Sequence, residues 1–188
     1  MKELLNVLQE LHPLTPNLIT HLSKKLIPRT LNRKQFLIQP GDPLKEIWFV
    51  RKGLIRCYQI ADGREISTNF INEGNIVASA DNFFRQKPST GYIKAIEKTF
   101  LVGLKTQELE KICQRYSEFN IICRKLLIQS YLKSEQQSAI LRLAKAMNKY
   151  NAMLTLHPHL VLRIPSRYLA SYLNISEGTI SRIRKGKY

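Results

Sequence analysis

The sequence predicts an α+β protein with a helical lead, an antiparallel β-rich middle and an all-α C-terminal module. Three observations carry that prediction. Apolar residues recur at helical spacing before about residue 27 and after about residue 105, with a period of two between them. Glycine turns punctuate the middle stretch at short intervals, as in a β-sandwich or barrel. The last 24 residues, Pro165 to Tyr188, carry the punctuation of two short helices joined by a tight turn.

In the lead, Leu4, Leu5, Leu8 and Leu11 fall on one helical face, and a second helical piece over residues 17–26 follows Pro13 and Pro16. Glu3 and Glu10 lie inside the first pattern, which argues against a secretory leader. No apolar run approaches the roughly 20 residues that span a bilayer, so a cytoplasmic protein without a membrane partner is expected. Phe36 and Ile38 precede the turn Pro40-Gly41-Asp42, and apolar runs over 47–50 and 54–60 flank Gly53. Asp62-Gly63 predicts a type I′ hairpin, whose two central positions need positive φ. Strands over 65–70 and 92–97 follow, with Gly74 and a loop near residues 86–91 between them.

From Thr106 the helical period returns with Leu109, Ile112 and Cys113, and a long helix is expected over about 118–139. Its first turns are apolar almost all round (Phe119, Ile121, Ile122, Cys123, Leu126, Leu127, Ile128), the mark of a helix buried on several sides. One side can cover the β layers and another a second copy of the chain. Phe119, Ile122, Leu126 and Leu127 are the expected homodimer residues, with an ordinary core helix as the alternative.

In the C-terminal stretch Pro165 can begin a helix. Leu169, Ala170 and Leu173 form its apolar stripe, and Asn174 suits the left-handed conformation of a tight turn. Ser176 then caps a second helix whose Ile180 and Ile183 face inward, with Ser181, Arg182, Arg184 and Lys185 outward. That is a helix-turn-helix, and a short helix bearing Ser and Arg suits the major groove of double-stranded DNA. Charge agrees. The chain has a net charge of +16, and residues 138–188 hold nine Lys/Arg against the single acidic Glu177, whereas residues 1–116 hold 18 against 11. Such a basic C-terminal third is the footprint of a polyanion partner.

Catalytic and metal chemistry find no purchase. There is no glycine-rich phosphate loop, nucleophile elbow or HExxH, so an enzyme is not expected. Cys57, Cys113 and Cys123 are odd in number, far apart in sequence and without a CxxC pair, and read as reduced core thiols. His157 and His159 flank Pro158 in what reads as a loop. No cofactor or metal is expected.

The ordered set of Pro40-Gly41-Asp42, Trp48-Phe49-Val50 with Gly53-Leu54-Ile55-Arg56, Asp62-Gly63-Arg64-Glu65, Glu73-Gly74-Asn75 and the C-terminal Leu169-Ala170, Leu173, Ser176 and Thr179 to Ile183 resembles the Crp/Fnr superfamily of bacterial transcription regulators over nearly the whole chain. The resemblance implies a cyclic-nucleotide-binding-like jelly roll (a β-roll) over 1–116, a dimerisation helix over 117–139 and a helix-turn-helix domain over 140–188. Many members carry a C-terminal wing after it, and here, as a departure from that pattern, none is expected. It further implies a homodimer on a pseudo-palindromic DNA site, with RNA polymerase as a further partner and the small-molecule effector unknown. Ser166, Arg167, Ser176, Glu177, Gly178, Thr179, Ser181, Arg182, Arg184 and Lys185 become the expected DNA-binding residues, with base reading by Glu177, Gly178, Ser181 and Arg182.

The expected ligand pocket departs from the family pattern. Cyclic-nucleotide binders place a Gly-Glu pair after the equivalent of Gly74, then an Arg-Ser or Arg-Thr pair. Here those positions hold Ala78 and Ser79, then Ser89 and Thr90, and the dimer helix offers Ser134 and Glu135. The acid for the ribose and the cation for the phosphate are both missing, with Arg85 and Lys87 as the nearby cations. No response to cyclic AMP is therefore expected. The alternative is a small-ligand sensor whose helix-turn-helix serves a protein partner.

Overall fold

The structure is a computed structural model that describes residues 2–43, 45–78 and 87–187. Its contacts gather into two compact units, residues 1–57 with 70–127, and residues 58–69 with 128–188.

The first unit begins with α1 (Lys2–Leu11) and α2 (Pro16–Lys25), the expected pair of lead helices. The Thr15 hydroxyl caps α2 by accepting from the Leu18 N–H, and Pro16 takes the first helical position, where no N–H is missed. The strands β1 (Ile27–Leu31), β2 (Phe36–Ile38), β3 (Glu46–Lys52), β4 (Ile55–Ala61), β5 (Arg64–Ile71), β6 (Ile76–Val77), β7 (Tyr92–Ala95) and β8 (Thr99–Lys105) form two four-stranded sheets, ordered β1-β8-β3-β6 and β2-β7-β4-β5. The pairs β1–β8, β3–β8, β3–β6 and β2–β7 are antiparallel. Next come α3 (Thr106–Arg115) and the long α4 (Ser117–Arg142). Antiparallel sheets followed by helices are the α+β jelly-roll architecture the sequence predicts.

Period-two alternation explains how this unit holds together, because both faces of the first sheet are buried. Trp48, Val50 and Leu101 point into an apolar cluster with Leu31, Leu37, Ile38, Ile55, Ile71, Val77, Ile93 and Ala95, drawn from both sheets. Their neighbours Phe49, Val102 and Leu104 point the other way, into a cluster with Leu4, Leu8, Leu18 and Leu22 of the lead helices, Ile112 of α3, and Phe119 and Ile122 of α4. This corrects one expectation. Phe119 and Ile122, at 4% and 0% exposure, belong to the subunit's own core and present nothing to a second copy.

Two glycines in this unit answer to close approach. Gly53 has φ +115°, and an added Cβ would stand 2.5 Å from Thr99 Oγ1. Gly103, opposite Trp48 in the β3–β8 register, leaves room for the indole, since a Cβ there would lie 2.6 Å from the ring. The cysteines are free, as expected, and two of them come together. Cys113 and Cys123, ten residues apart, are brought to an Sγ–Sγ separation of 3.9 Å by the α3–α4 turn. Burial pushes the Cys57 and Cys123 thiols up to about 12, so both stay protonated at neutral pH.

The second unit contains the β4–β5 hairpin, the later part of α4, and four shorter helices: α5 (Ala146–Leu156), α6 (Pro158–Arg163), α7 (Ser166–Leu173) and α8 (Glu177–Arg184). Asp62 and Gly63 have φ of 52° and 71°, as the type I′ turn requires. His157 and His159 do not lie in a loop: Pro158 starts α6, with His157 at its N-cap. Partial burial of its ring, with Lys133 nearby, holds the His157 imidazole below its ordinary pKa.

A Gly103→Ala substitution should push its Cβ into Trp48 and cost about 1–3 kcal/mol of stability. Thermal melting followed by tryptophan fluorescence checks this, and an unchanged midpoint would mean that the indole can move aside.

Candidate nucleic-acid interface

The helix-turn-helix is built by α7 and α8. Leu169, Ala170, Tyr172 and Leu173 of α7 and Thr179, Ile180 and Ile183 of α8 are buried, which leaves one outward face on each helix. The chain turns between them at Asn174, whose φ of 51° and ψ of 55° are left-handed, and whose N–H still reaches the last carbonyls of α7. Asn tolerates this conformation better than other side chains with a Cβ. The Ser176 hydroxyl accepts from the Thr179 N–H at 3.1 Å and lies 2.8 Å from Thr179 Oγ1, so α8 begins at the predicted cap.

Of the expected base-reading residues, Glu177, Gly178 and Arg182 are exposed and Ser181 is half-buried. Arg182 lies one turn beyond Thr179 and donates to its hydroxyl at 3.4 Å. Lys185 and Lys187 follow the helix and are exposed, as is Arg167 on α7, whose guanidinium stacks over Tyr168 at 4.6 Å from the ring centre. These exposed cations lie on α7 and just after α8.

Other expected DNA contacts also bond within the module, Arg184 while exposed and Ser166 while half-buried. Thr179 is buried and its hydroxyl serves the Ser176 cap. The Arg184 guanidinium donates to the Ser166 hydroxyl at 2.8 Å, the Val161 carbonyl at 3.0 Å and the Tyr150 hydroxyl at 3.4 Å. Ser166 and Arg184 are thereby turned toward each other. Pro165 stands at the N-cap of α7, one position before the helix.

Sequence reasoning missed two polar ties. Lys149 of α5 is buried, and its ammonium donates to the Leu173 carbonyl at 3.2 Å, satisfying one of the carbonyls that a helix end leaves open. Ser171 of α7 reaches β5, the edge strand of its sheet. Its hydroxyl donates to the Glu65 carbonyl at 2.8 Å and accepts from the Ser67 N–H at 2.9 Å, while Gln137 of α4 donates to the Thr68 carbonyl. An edge strand exposes unpaired backbone groups, and here polar side chains pair them. A lone Lys on an apolar helix and a Ser facing outward give no sequence signal of these partners.

The expected ligand pocket is less complete. Gly74 has φ +78° and its N–H donates to the Val50 carbonyl, which fixes the turn after β5. Ser89 pairs through its backbone with Gly41 and Asp42, and its hydroxyl bonds both the carbonyl and the N–H of Gly91. Ala78, Thr90 and Lys87 are exposed, as is Ser134 on α4. Ser79 and Arg85 lie outside the described residues. The cluster between the two sheets is apolar, with Trp48 its largest member.

Residues 28–116 match the cyclic nucleotide-binding domain family. No curated protein sequence matches the chain. Among solved structures, FixK2 from Bradyrhizobium japonicum is similar with a TM-score of 0.71 at 20% identity, over 86% of this chain and 83% of that one. CLP, a c-di-GMP-responsive global regulator from Xanthomonas campestris, gives 0.70 at 15%, over 92% and 91%. A protein from Eubacterium rectale, described as a transcriptional regulator of the Crp/Fnr family, gives 0.71 at 16%, over 92% and 83%. The chain therefore shares the fold of these solved structures. More closely, it has the Crp/Fnr fold, with a cyclic nucleotide-binding domain over residues 28–116. Among the described residues no helix is long and apolar enough to cross a membrane.

Lys149→Met keeps the aliphatic packing but leaves the Leu173 carbonyl without its donor. It should destabilise the second unit by about 1–3 kcal/mol. Urea unfolding read by circular dichroism is the check, and a neutral result would show that water replaces the ammonium.

Proposed function

We propose that the chain is a cytoplasmic, sequence-specific DNA-binding transcription regulator of the Crp/Fnr type. It acts as a homodimer on a pseudo-palindromic site and does not respond to cyclic AMP. The observation that carries the reading is the outward face of α8: Glu177, Gly178 and Arg182 are exposed and Ser181 half-buried, with exposed cations at Arg167, Lys185 and Lys187 in the same module. Arg182 can bond guanine bidentately and Glu177 can accept from cytosine N4, while the lysines meet phosphates.

Dimerisation is supported by an apolar strip on α4. Leu127, Ile128, Tyr131 and Leu132 are 57%, 51%, 63% and 54% exposed and fall on one side of the helix as two pairs spaced by four. A strip of this kind on an otherwise charged surface marks an interaction site. A second copy of the same helix fits it, because two-fold symmetry would also set two α8 helices against half-sites about 34 Å apart. The strip starts at Leu127 of the expected set and runs toward the C-terminus, past the inward-facing Phe119 and Ile122. Leu127→Glu should yield monomers in sedimentation and lose DNA affinity with the dimer. A wild-type protein that is monomeric at micromolar concentration would remove the idea.

Indifference to cyclic AMP is supported by chemistry. Ser89 carries no charge, and its hydroxyl is used within its own turn. A cyclic phosphate would lose water without gaining a charge-assisted bond. Isothermal titration should give no saturable heat with cyclic AMP or cyclic GMP, and a micromolar one-per-subunit isotherm would overturn the reading.

DNA reading is tested by selection from random duplexes followed by substitution. Arg182→Ala should cost roughly 1–3 kcal/mol and relax preference at one base pair per half-site. Lys185→Ala should instead weaken all sequences alike and lower the salt slope by about one per contact. Failure to enrich any sequence would favour a sensor whose helix pair serves a protein partner.

A further inference from the structure

Arg184 looks, by type and position, like a phosphate contact at the end of the recognition helix. It is exposed, yet its guanidinium is also bonded within its own module. The three bonds of its guanidinium go to three different elements: the Tyr150 hydroxyl on α5, the Val161 carbonyl on α6 and the Ser166 hydroxyl at the start of α7. The Val161 carbonyl lies in the last turn of α6, where no helical N–H follows to take it, so Arg184 supplies the missing donor. The Nε, Nη1 and Nη2 donors of one rigid planar group are each used, an arrangement a lysine ammonium on a flexible stem does not reproduce.

We infer that Arg184 is a positioning residue, which sets the tilt and register of α8 against the rest of its module and thereby governs base reading without touching DNA. The buried apolar contacts of α8 are Ile180 and Ile183, with Thr179 near its start. Two isoleucines restrain distance but leave rotation of a two-turn helix weakly held, since apolar packing has no direction. Directional bonds from the last turn remove that freedom. Base readout needs side chains placed within about 0.5 Å of their productive geometry, so the loss should appear in specificity before it appears in general affinity.

The inference rests on the DNA-binding reading, and its test keeps the two separable. Affinities are measured for the duplex selected by the wild-type protein and for a scrambled duplex, across a series of salt concentrations. Arg184→Ala and Arg184→Lys should both weaken binding to the selected duplex by about tenfold or more, and leave the scrambled duplex within about twofold. The salt slope should stay that of the wild type in both. Recovery of full affinity in Arg184→Lys, together with a slope lowered by about one per contact in Arg184→Ala, would make Arg184 a phosphate contact and overturn the inference.

Tyr150→Phe and Ser166→Ala each remove one acceptor while keeping the charge, and should reproduce part of the specific loss. They decide the matter if the Arg184 variants fail to fold, and full specificity in both would overturn the inference. Hydrogen exchange on the free protein supplies a readout independent of DNA: the α8 amides should exchange faster in Arg184→Lys than in the wild type. If the wild type selects no sequence, the DNA reading falls, while exchange still decides whether the clamp holds α8.

Discussion

Trp48 and Phe49 are adjacent on β3 and point to opposite faces of one sheet, and both faces are buried. Most of the first unit follows from that constraint. The Trp48 side fixes the spacing of the two sheets, including the bare Gly103 beneath the indole. The Phe49 side must be covered by something apolar, and the chain supplies it from three places distant in sequence: the lead helices, α3 and the start of α4. Covering that face consumes Phe119 and Ile122. The apolar excess of α4 is therefore not free to choose its partner, and only its later residues, from Leu127 to Leu132, remain exposed.

The second unit is held differently. Its helices are short, the longest of the last four being α5 at 11 residues, and short helices have a high share of open N–H and C=O groups. Side chains fill those vacancies. Ser176 caps the start of α8, Lys149 meets the end of α7, and Arg184 meets the end of α6. Ser171 and Gln137 do the same for the open edge of β5. Cations in this unit thus divide into two groups that composition cannot separate. Lys149 and Arg184 donate to carbonyls of their own module, Arg184 while still exposed, and Arg167, Lys185 and Lys187 are exposed.

In the roll, backbone turns and side chains around the expected pocket can be considered separately. The turns at Gly41, Gly53 and Gly74, which require positive φ, are all present. Ser89, where the resemblance leads one to expect a phosphate-binding cation, bonds its hydroxyl to Gly91. Backbone turns and ligand-binding side chains answer to different constraints, so one can remain without the other.

The sequence alone determined the elements with strong local causes. Asp62-Gly63 and Asn174 announced their turns because few residues accept a left-handed backbone, and Ser176 announced a helix start because its hydroxyl matches an open N–H. Period-two and helical spacing separated the roll from the helices, and charge set the basic C-terminal third apart. Tertiary structure alone decided which way a two-sided apolar helix turns its residues, as at Phe119 and Ile122. It also decided that Pro158 begins a helix with His157 at its N-cap, and that Cys113 and Cys123 meet. The role of Arg184 was likewise invisible, because an arginine near a helix end looks the same whether it faces a phosphate or a carbonyl. Local patterns report what a backbone can adopt; the partner of a long side chain depends on elements brought together only by folding.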